Sequence, residues 1–420
     1  MRILLVTPYL PHPRVGHGGG QAIRSQLRAL AQRHDCLCVS LLRHGEQAEV
    51  PAAADQGFRL ATVPFLDARS QGVRRLQLIG VRLLAAARAA GDRYPYYVAK
   101  YRWPPLVRAV IEDAEAFQPD VIQVEYLQLA YLLRELRRWR NAEPGDRRPA
   151  TAGPRLVLSS HEVSSLPRRR RAAEARWWRR RALLAEAAAW DRLARDASGW
   201  ADATLCVTEQ DRRLLAAAGG QRLITVPLGV DLETASAERT AALRRVLFVG
   251  SFQHPPNRSA AALLCDRIWP QVFEELPGWE LVLAGPGSDR FLAERQPTPA
   301  GVTATGFVDD LRGLLRQCRV LAAPLTEGGG IKIKILEAMA CGLPVVTTAI
   351  GAEGITTRAD ELVWWADDPA EFARQLLAAA RDPATAAARA DRARRHVERY
   401  FSWTTVVERL EAVYRGDDPS

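Results

Sequence analysis

Apolar runs of strand length alternate with helical stretches, and this alternation limits the chain to few folds. Continuous apolar runs are typical of strands that are buried on both faces of a parallel sheet. In the first half, these runs occupy residues 2–6, 36–42, 121–124, 156–160 and 203–207. A helix is predicted at about residues 21–33, because Ile23, Leu27 and Leu30 share one helical face. The first half is therefore predicted to be an open parallel sheet covered by helices.

The same alternation restarts in the second half of the chain. Strands are predicted at residues 245–250, 281–284, 320–323 and 345–348, with helices between them. A chain of 420 residues is expected to form two domains. We place the boundary in the Pro- and Gly-containing segment VPLGVD, so that residues 1–226 and 227–400 form the two domains.

The predicted fold is α/β, with two doubly wound Rossmann-like domains that face each other across a cleft. Ligands are expected at the carboxyl ends of the strands. Residues 401–420 are predicted to form a terminal helix, with Ser402 as its N-cap and Trp403, Val406, Leu410 and Val413 at helical spacing.

Composition narrows the functional classes. No stretch reaches the roughly 18 apolar residues of a membrane-spanning helix, and the N-terminal run is too short for a signal peptide, so a cytoplasmic protein is expected. The six scattered cysteines indicate reduced thiols and do not form a zinc site. A net charge of +10 favours anionic partners: nucleotides, phosphorylated acceptors, anionic lipid or nucleic acid. Only three of the 58 basic residues are lysines, and two of them, Lys332 and Lys334, lie in one short segment.

That segment is PLTEGGGIKIKILEAMACGLPVV, at residues 324–346. A strand ends at Pro324, three glycines make the turn, a helix begins near Ile331, and Gly342 ends it. The free amides and positive dipole at the helix start, with two ammonium groups, predict a site for a pyrophosphate. Glu337 is placed to accept hydrogen bonds from ribose hydroxyls, or else simply pairs with Lys334 three residues earlier.

A second glycine loop, GHGGG at residues 16–20, precedes the first helix. Its spacing is not that of GxGxxG, so a nicotinamide or flavin site is a poor fit. Glycines here allow close approach of a ligand to the backbone, or form no more than a flexible connection.

Taken together, these motifs resemble those of the retaining GT-B glycosyltransferases of family 4, the glycosyl transferases group 1. The resemblance covers most of the chain. It rests on LEAMACGLPVV, on VPLGVD at residues 226–231, on GFV at residues 306–308, on AGPG at residues 284–287 and on the Ser-Trp start of the terminal helix. The family's fold implies that this last helix crosses back onto the N-terminal domain.

The resemblance also implies roles for individual residues. Backbone amides of Gly330, Ile331 and Lys332 would hold the donor phosphates, and Glu337 would bind the ribose. The nucleobase would contact Phe307 and Val308, and the donor would also approach Gly19, Gly20 and Ser251. His161, which follows a predicted strand in SSHE, matches the family's histidine beside the donor sugar, where it would position the substrate and stabilise charge.

Three positions depart from the common family pattern. The acidic residue expected eight positions before Glu337 is Gly329, and Glu327 is out of register with it. The usual Arg after the strand glycine is Ser251, and the usual Lys some six residues on is Asn257. We expect Lys332 and Lys334 to supply the missing phosphate-neutralising charge from the opposite loop.

The expected activity is transfer of a sugar from a nucleotide-diphosphate sugar to a hydroxyl of a glycan, a lipid-linked carrier or a small molecule, in cell-envelope glycan synthesis. Retention is implied by the resemblance, and no cofactor or metal is expected, since no D-x-D pair occurs at a strand end.

A basic segment is the remaining sequence signal. Residues 168–181 carry eight arginines and Trp177-Trp178, which suggests an anionic membrane surface as a second partner and a peripheral location. The alternative function is a basic protein on a Rossmann-like scaffold that binds nucleic acid or membranes without transferase activity. We favour the transferase and expect no nucleic-acid partner, since that alternative leaves the phosphate loop unexplained.

Overall fold

The computed structural model describes residues 1–15, 18–66, 79–80, 83–84, 87, 91–142, 153–232, 243–356 and 359–417. These residues divide into two compact units. Unit 1 contains Met1–Val15, Gly19–Pro227 and the chain from Val407, and unit 2 contains Leu228–Val406 together with Gly18.

Unit 1 is built on a seven-stranded sheet in the order β3-β2-β1-β4-β5-β6-β7, with every pair parallel. The strands are β1 (Arg2–Thr7), β2 (Asp35–Leu42), β3 (Arg59–Pro64), β4 (Val121–Glu125), β5 (Arg155–Ser159), β6 (Ala203–Cys206) and β7 (Leu223–Thr225).

Helices join these strands, as the right-handed crossover between parallel neighbours requires. They are α1 (Gly18–Ala31), α2 (Val50–Ala54), α3 (Tyr96–Ala99), α4 (Pro104–Phe117), α5 (Tyr131–Asn141), α6 (Ser165–Ala173), α7 (Trp177–Trp200) and α8 (Glu209–Ala217). Short 3₁₀ turns lie at Gln47–Glu49 and Leu127–Leu129.

Unit 2 repeats the arrangement with a six-stranded parallel sheet in the order β10-β9-β8-β11-β12-β13. Its strands are β8 (Arg245–Val249), β9 (Glu280–Ala284), β10 (Val302–Gly306), β11 (Val320–Ala323), β12 (Val345–Thr347) and β13 (Trp364–Trp365).

The helices of unit 2 cover this sheet, and a π-helical turn, Leu264–Ile268, separates the first two. They are α9 (Pro255–Leu263), α10 (Trp269–Glu275), α11 (Ser288–Ala293), α12 (Leu311–Gln317), α13 (Ile333–Ala340), α14 (Ala349–Ala352), α15 (Ala359–Leu362), α16 (Pro369–Arg381) and α17 (Pro383–Phe401).

The last helix, α18 (Trp403–Arg415), ends in unit 1. It begins where predicted, because the Ser402 hydroxyl accepts a hydrogen bond from the Thr405 amide at 3.2 Å. Towards its end, Glu411 lies 2.9 Å from Nε2 of His34, and Tyr414 is buried against the sheet. These contacts fix the end of the chain on unit 1.

The nine strands predicted from the sequence are all present, with ends within one residue of the predicted ones. The sequence analysis missed β3, β7, β10 and β13, which are the four edge strands of the two sheets. An edge strand is only partly buried, so it lacks the continuous apolar run of a central strand. In β10, for example, buried Val302 is followed by alternately exposed and half-buried residues.

Two helix starts differ from the predictions. α1 begins at Gly18, three residues early, and α13 begins at Ile333, after Lys332 rather than near Ile331. Glycine carries no side chain that marks a helix start, so the apolar periodicity alone set the predicted boundary. All six cysteines are free thiols, and all but Cys341 are buried.

Candidate functional site

The strand order of unit 2 places two loops beside a crevice. The chain leaves β8 towards β9 and leaves β11 towards β12, in opposite directions, although β8 and β11 are neighbours. At such a reversal the loops after the two strands separate and leave room for a ligand at the carboxyl ends. The loop after β8 begins at Gly250, and the loop after β11 contains Gly328, Gly329 and Gly330.

Gly250 sits where a side chain would not fit. A Cβ atom at this position would lie 2.7 Å from Cγ of Asn257 and 2.9 Å from Nζ of Lys334. On its other side, a Cβ on Gly285 would lie 2.2 Å from the Gly250 carbonyl oxygen, and Gly285 has a φ of +125°. Close packing of these two glycine turns therefore creates the space that the lysine ammonium occupies.

Lys334 belongs to α13, but its ammonium lies in the β8–α9 loop. Nζ donates a hydrogen bond to Oδ1 of Asn257 at 2.6 Å, and Nδ2 of Asn257 donates to the Ser251 carbonyl at 3.0 Å. Ser251 and Asn257 are the two positions at which the sequence lacks the usual cations of this loop. The ammonium of Lys334 thus reaches the loop from which those charges are missing.

Lys332 has a different environment, although both lysines were expected to neutralise phosphate. Its Nζ donates to the carbonyls of Gly330 at 2.6 Å and Gly329 at 3.3 Å, and lies 4.0 Å from Oε2 of Glu353. Lys332 is therefore engaged with its own turn, and Lys334 is the better placed of the two lysines for an anion in the crevice.

The glycine turn itself requires glycine. Gly328 and Gly330 have φ values of +125° and +65°, which side-chain-bearing residues seldom adopt. Ile331 is buried and leads through Lys332 into α13. A Cβ on Gly329 would meet no heavy atom within 4 Å, so space does not exclude an acidic residue there. Glu327 accepts a hydrogen bond from Ser259 at 3.4 Å and so contacts α9.

Glu337 lies one turn after Lys334 on the same helix. Burial raises its pKa to about 7, against the opposing effect of Arg312, while Asp231 adds repulsion. Arg312 and Asp231 pair with each other at 3.2 Å. Lys334 and Glu337 attract each other electrostatically, although no direct ion pair joins them in the described part of the chain.

The nucleobase residues predicted from the sequence follow β10. Phe307 is 47% exposed although it is a large apolar residue, and Val308 is half-buried. Before them, Gly306 has a φ of +68° and its amide donates to Oγ of Ser288 at 3.0 Å. The aromatic ring of Phe307 is thus available for stacking at the carboxyl end of the sheet.

Unit 1 carries the remaining predicted residues. Gly19 and Gly20 lie in the first turn of α1, whereas Gly16 and His17 of the same loop are outside the described residues. His161 follows β5, is 7% exposed and has a φ of +58°, which is uncommon for a residue with a side chain.

The environment of His161 includes two residues that sequence reasoning missed. Its Nε2 pairs with the fully buried carboxylate of Glu125, and its ring stacks on that of Tyr126 with centroids 4.0 Å apart. A carboxylate at the end of an apolar run was a signal for Glu125, because such a group is costly inside a sheet. The contact of Asn257 with Lys334 had no sequence signal, since 77 positions separate them.

No group of three or more His, Cys, Asp or Glu side chains in the described part of the chain is arranged to hold a metal ion. None of the described helices combines the length and the apolar character needed to cross a bilayer.

Structures of similar fold are known. The HepE protein of Anabaena, solved with UDP and glucose, aligns with a TM-score of 0.67 at 15% identity and covers 99% of this chain and 100% of its own. Sucrose-phosphate synthase of Thermosynechococcus elongatus aligns with a TM-score of 0.66 at 16% identity, covering 99% and 98%. At these identities the likeness shows the fold, which is GT-B.

Sequence relatives match a part of the chain. Phosphatidyl-myo-inositol mannosyltransferase of Mycobacterium tuberculosis is 32% identical over 156 residues, which are 35% of this chain and 40% of the relative. The GDP-mannose-dependent alpha-(1-6)-phosphatidylinositol dimannoside mannosyltransferase of the same species is 30% identical over 281 residues, 61% of this chain and 64% of the relative. The matched part thus spans less than two thirds of either relative.

A match to a family model covers the glycine turn, α13 and the loop after β8. Residues 244–382, most of unit 2, match the profile of the family described as glycosyl transferases group 1. Most of unit 2 is therefore similar to the glycosyl transferases group 1 family, and the chain shares the GT-B fold.

Proposed function

We propose that this protein transfers a sugar from a nucleotide-diphosphate sugar to a hydroxyl acceptor. The observation that carries the proposal is the position of Lys334, whose ammonium extends from the LEAMA helix to the cation-poor loop after β8. A positive charge at a strand-order reversal, beside a glycine turn and a helix N-terminus, suits a diphosphate.

The reaction breaks the bond between the anomeric carbon and the diphosphate oxygen and forms a bond to the acceptor oxygen. Negative charge then develops on the leaving phosphate while the sugar gains oxocarbenium character. The amides of Gly330, Ile331 and Lys332, together with the Lys334 ammonium, stabilise that charge more in the transition state than in the ground state. The acceptor proton passes to the leaving phosphate, so that the anomeric configuration is retained and no side-chain base is required.

The other residues of the proposed donor site hold the nucleoside and the sugar. Glu337 accepts hydrogen bonds from the ribose hydroxyls, and the base lies on Phe307 and bonds to the backbone at Val308. In unit 1, His161 and the first turn of α1, with Gly19 and Gly20, are the residues to which we assign a role in the transfer. Lys332 bonds to two carbonyls of the glycine turn and so keeps its amides available to the phosphates.

Two donors are the first to test. GDP-mannose appears in the name of the dimannoside mannosyltransferase, and HepE was solved with UDP-glucose. A screen of GDP-, UDP- and dTDP-sugars is therefore the direct experiment. Nucleotide release without transfer to any acceptor would limit the protein to donor hydrolysis.

A lipid-linked acceptor is favoured by the surface of unit 1. Its basic segment is not one helix but two, α6 and α7, with a break at residues 174–176. Two arginines of α6 form ion pairs within the protein. Arg168 pairs with Glu186 at 2.7 Å, and Arg169 pairs with Asp191 at 2.5 Å.

The start of α7 is different. Trp177 and Trp178 are 73% and 57% exposed, and Arg176, Arg179, Arg180 and Arg181 around them are exposed as well. No ion pair to these four arginines occurs in the described ranges. Cations at a helix N-terminus are repelled by the positive end of the helix dipole. An anionic membrane surface would neutralise these arginines, and the two indole rings would insert at the lipid interface. We propose that this Trp-Arg surface docks the protein on an anionic membrane that contains the acceptor.

The proposed phosphate role of Lys334 generates the first prediction. Replacing Lys334 with Met is expected to weaken nucleotide-sugar binding roughly tenfold to a hundredfold, because a charge-assisted contact is lost. Adding Asn257→Lys to that variant places a charge where the family resemblance led us to expect one and is expected to restore much of the affinity and turnover. Binding and transfer are measured with the donor found in the screen, and Lys100→Met is the matched lysine control.

If Lys334→Met binds and turns over like the wild type, the proposed phosphate role of Lys334 is wrong. If the single variant is impaired and Asn257→Lys does not improve it, the two positions are not interchangeable sources of charge.

A second prediction follows from the protonation states of Lys334 and Glu337 on α13. Burial lowers the pKa of Lys334 to about 7, with added repulsion from Lys332, and burial raises the pKa of Glu337 to about 7. At about pH 8 the free lysine is mostly neutral, and a diphosphate favours its charged form, so binding takes up a proton. At about pH 6 Glu337 is mostly protonated, and donation from the ribose favours its carboxylate, so binding releases one.

Titration calorimetry in buffers of different ionisation enthalpy measures this change of sign. A nucleotide sugar is the right ligand, because its diphosphate is esterified at both ends and lacks the phosphate proton that titrates near pH 6. Lys334→Met is expected to abolish the uptake at high pH and to leave the release at low pH. Equal proton exchange at both pH values would contradict these roles.

The membrane proposal generates a third prediction. The double variant Trp177→Ala, Trp178→Ala is expected to lose about tenfold or more of its binding to phosphatidylglycerol vesicles in a flotation assay. Trp365→Ala, a half-exposed tryptophan of β13, is the control and should bind as the wild type does. The proposed membrane role of this surface would be wrong if the wild type bound phosphatidylcholine vesicles as strongly as phosphatidylglycerol vesicles, or if the double variant lost no binding.

A further inference from the structure

A buried network of hydrogen bonds connects the last helix of the chain to His161. The Tyr414 hydroxyl on α18 donates to Oε1 of Gln123 at 2.6 Å, and Nε2 of Gln123 donates to Oε1 of Glu125 at 2.5 Å. The other oxygen of Glu125 pairs with Nε2 of His161. We call these four residues the His161 network. All belong to unit 1, and none is more than 7% exposed.

The network explains how a carboxylate is tolerated inside the sheet. Glu125 is 0% exposed, and a buried carboxylate without partners costs several kcal/mol, so it must be paired and hydrogen-bonded. It has one partner on each oxygen, the Gln123 amide and the His161 imidazole. Loss of either contact would leave one oxygen of a buried charge unsatisfied.

The orientation of the Gln123 amide is the critical element. An amide can present either its NH₂ group or its oxygen to Glu125, and only the NH₂ group is attractive to a carboxylate. The carboxylate can only accept, so it selects the NH₂ group, and the Tyr414 hydroxyl supports this orientation by donating to the amide oxygen on the opposite side. Without that hydroxyl, the amide oxygen has no partner in the network and the side chain is free to rotate away.

We infer that Tyr414 and Gln123 are positioning residues for His161, acting through Glu125, so that the C-terminal helix controls the geometry of the candidate catalytic histidine. This inference rests on the proposed function for its effect on turnover. Neither residue needs to touch the substrate.

Positioning has a chemical consequence for the imidazole. The Glu125 carboxylate holds the ring proton on Nε2, which selects one tautomer and leaves Nδ1 as the atom available on the other side. Stacking on Tyr126 sets the plane of the ring, so that both orientation and tautomer are specified.

The position of α18 on unit 1 keeps the hydroxyl in place. Glu411, one turn before Tyr414, pairs with Arg33 at 3.1 Å and with His34 at 2.9 Å, at the end of α1. Val413 beside it is fully buried in the apolar contact of the helix. The helix is therefore held by contacts that do not involve the network, and removal of one hydroxyl should leave it in position.

Other titratable groups also surround the network. Cys38 from β2 and Tyr126 after β4 lie within electrostatic range of Glu125, and Glu162 acts on Tyr126. Burial raises the pKa of Cys38 and of Tyr126 well above the ordinary values, so neither changes charge near neutral pH. A change in the imidazole signal of His161 therefore does not come from a change in charge on Cys38 or Tyr126 near neutral pH.

The experiment compares three variants of the full-length protein. Tyr414→Phe removes only the hydroxyl, Gln123→Met removes the amide at similar volume, and Val413→Ala perturbs the packing of α18 without touching the network. The imidazole of His161 is observed by ¹⁵N NMR, with its signals assigned by their loss in His161→Asn. Steady-state kinetics give kcat and the donor KM.

In the wild type, the ring proton is expected on Nε2, with a strongly deshielded signal from its bond to Glu125. In Tyr414→Phe and Gln123→Met, that signal should shift and the Nε2–H tautomer should lose population, while Val413→Ala keeps the wild-type signal. Because one neutral hydrogen bond is lost, kcat should fall about threefold to tenfold in Tyr414→Phe, with the donor KM unchanged. The double variant Tyr414→Phe, Gln123→Met should have a kcat no lower than that of Gln123→Met alone, since both changes break the same network.

Three outcomes are decisive. If Tyr414→Phe leaves both the His161 signal and kcat unchanged, the inference is overturned, whatever the protein transfers. If Val413→Ala changes the signal as strongly as Tyr414→Phe, the effect comes from packing and the inference is also overturned. If the signal changes as expected but no variant or wild type transfers a sugar, the network stands and the proposed function falls.

Discussion

The contact between the Lys334 ammonium and the Asn257 amide is the interaction on which the donor half of the structure depends. It requires a strand-order reversal at β8 and β11, so that the two loops diverge. It also requires two glycines, because a side chain at Gly250 would collide with the ammonium and a side chain at Gly285 would collide with the Gly250 backbone. A cation placed there in a poorly hydrated pocket is under electrostatic strain until an anion arrives. The same residues thus provide both room and attraction for a phosphate.

In the proposed site, Lys334 of α13 supplies a charge that Ser251 and Asn257 do not. This exchange shows how a fold can keep a function while the residue that provides it changes. A charge is useful to a ligand at a point in space, and that point can be reached from either of the two loops beside the crevice. Lys334 lies one turn before Glu337 on α13, so the residues that we propose for phosphate and for ribose share one helix. Two ionisable groups whose pKa values converge near neutrality then become sensitive to the same ligand.

The sequence predicted the central strands well, because burial on both faces produces a run of apolar residues that can be recognised without a structure. It predicted the glycine turn and the place of Lys334 on the helix, because these depend on local spacing. It did not predict Asn257 as the partner of Lys334, or Glu125 as the partner of His161, because those contacts join residues that are distant along the chain. The network from Tyr414 to His161 has the same origin: a C-terminal helix approaches β4 only once both elements have folded onto the same unit.

The central claim is that the Lys334 ammonium contacts the diphosphate of the donor. A crystal structure of the protein with the nucleoside diphosphate of its donor measures this directly, as the distance from Nζ of Lys334 to the nearest phosphate oxygen. The account predicts a contact of about 2.7–2.9 Å, with the phosphates against the amides of residues 330–332. A diphosphate bound elsewhere, or bound in this crevice with Lys334 still on Asn257 and out of reach of every phosphate oxygen, would contradict it.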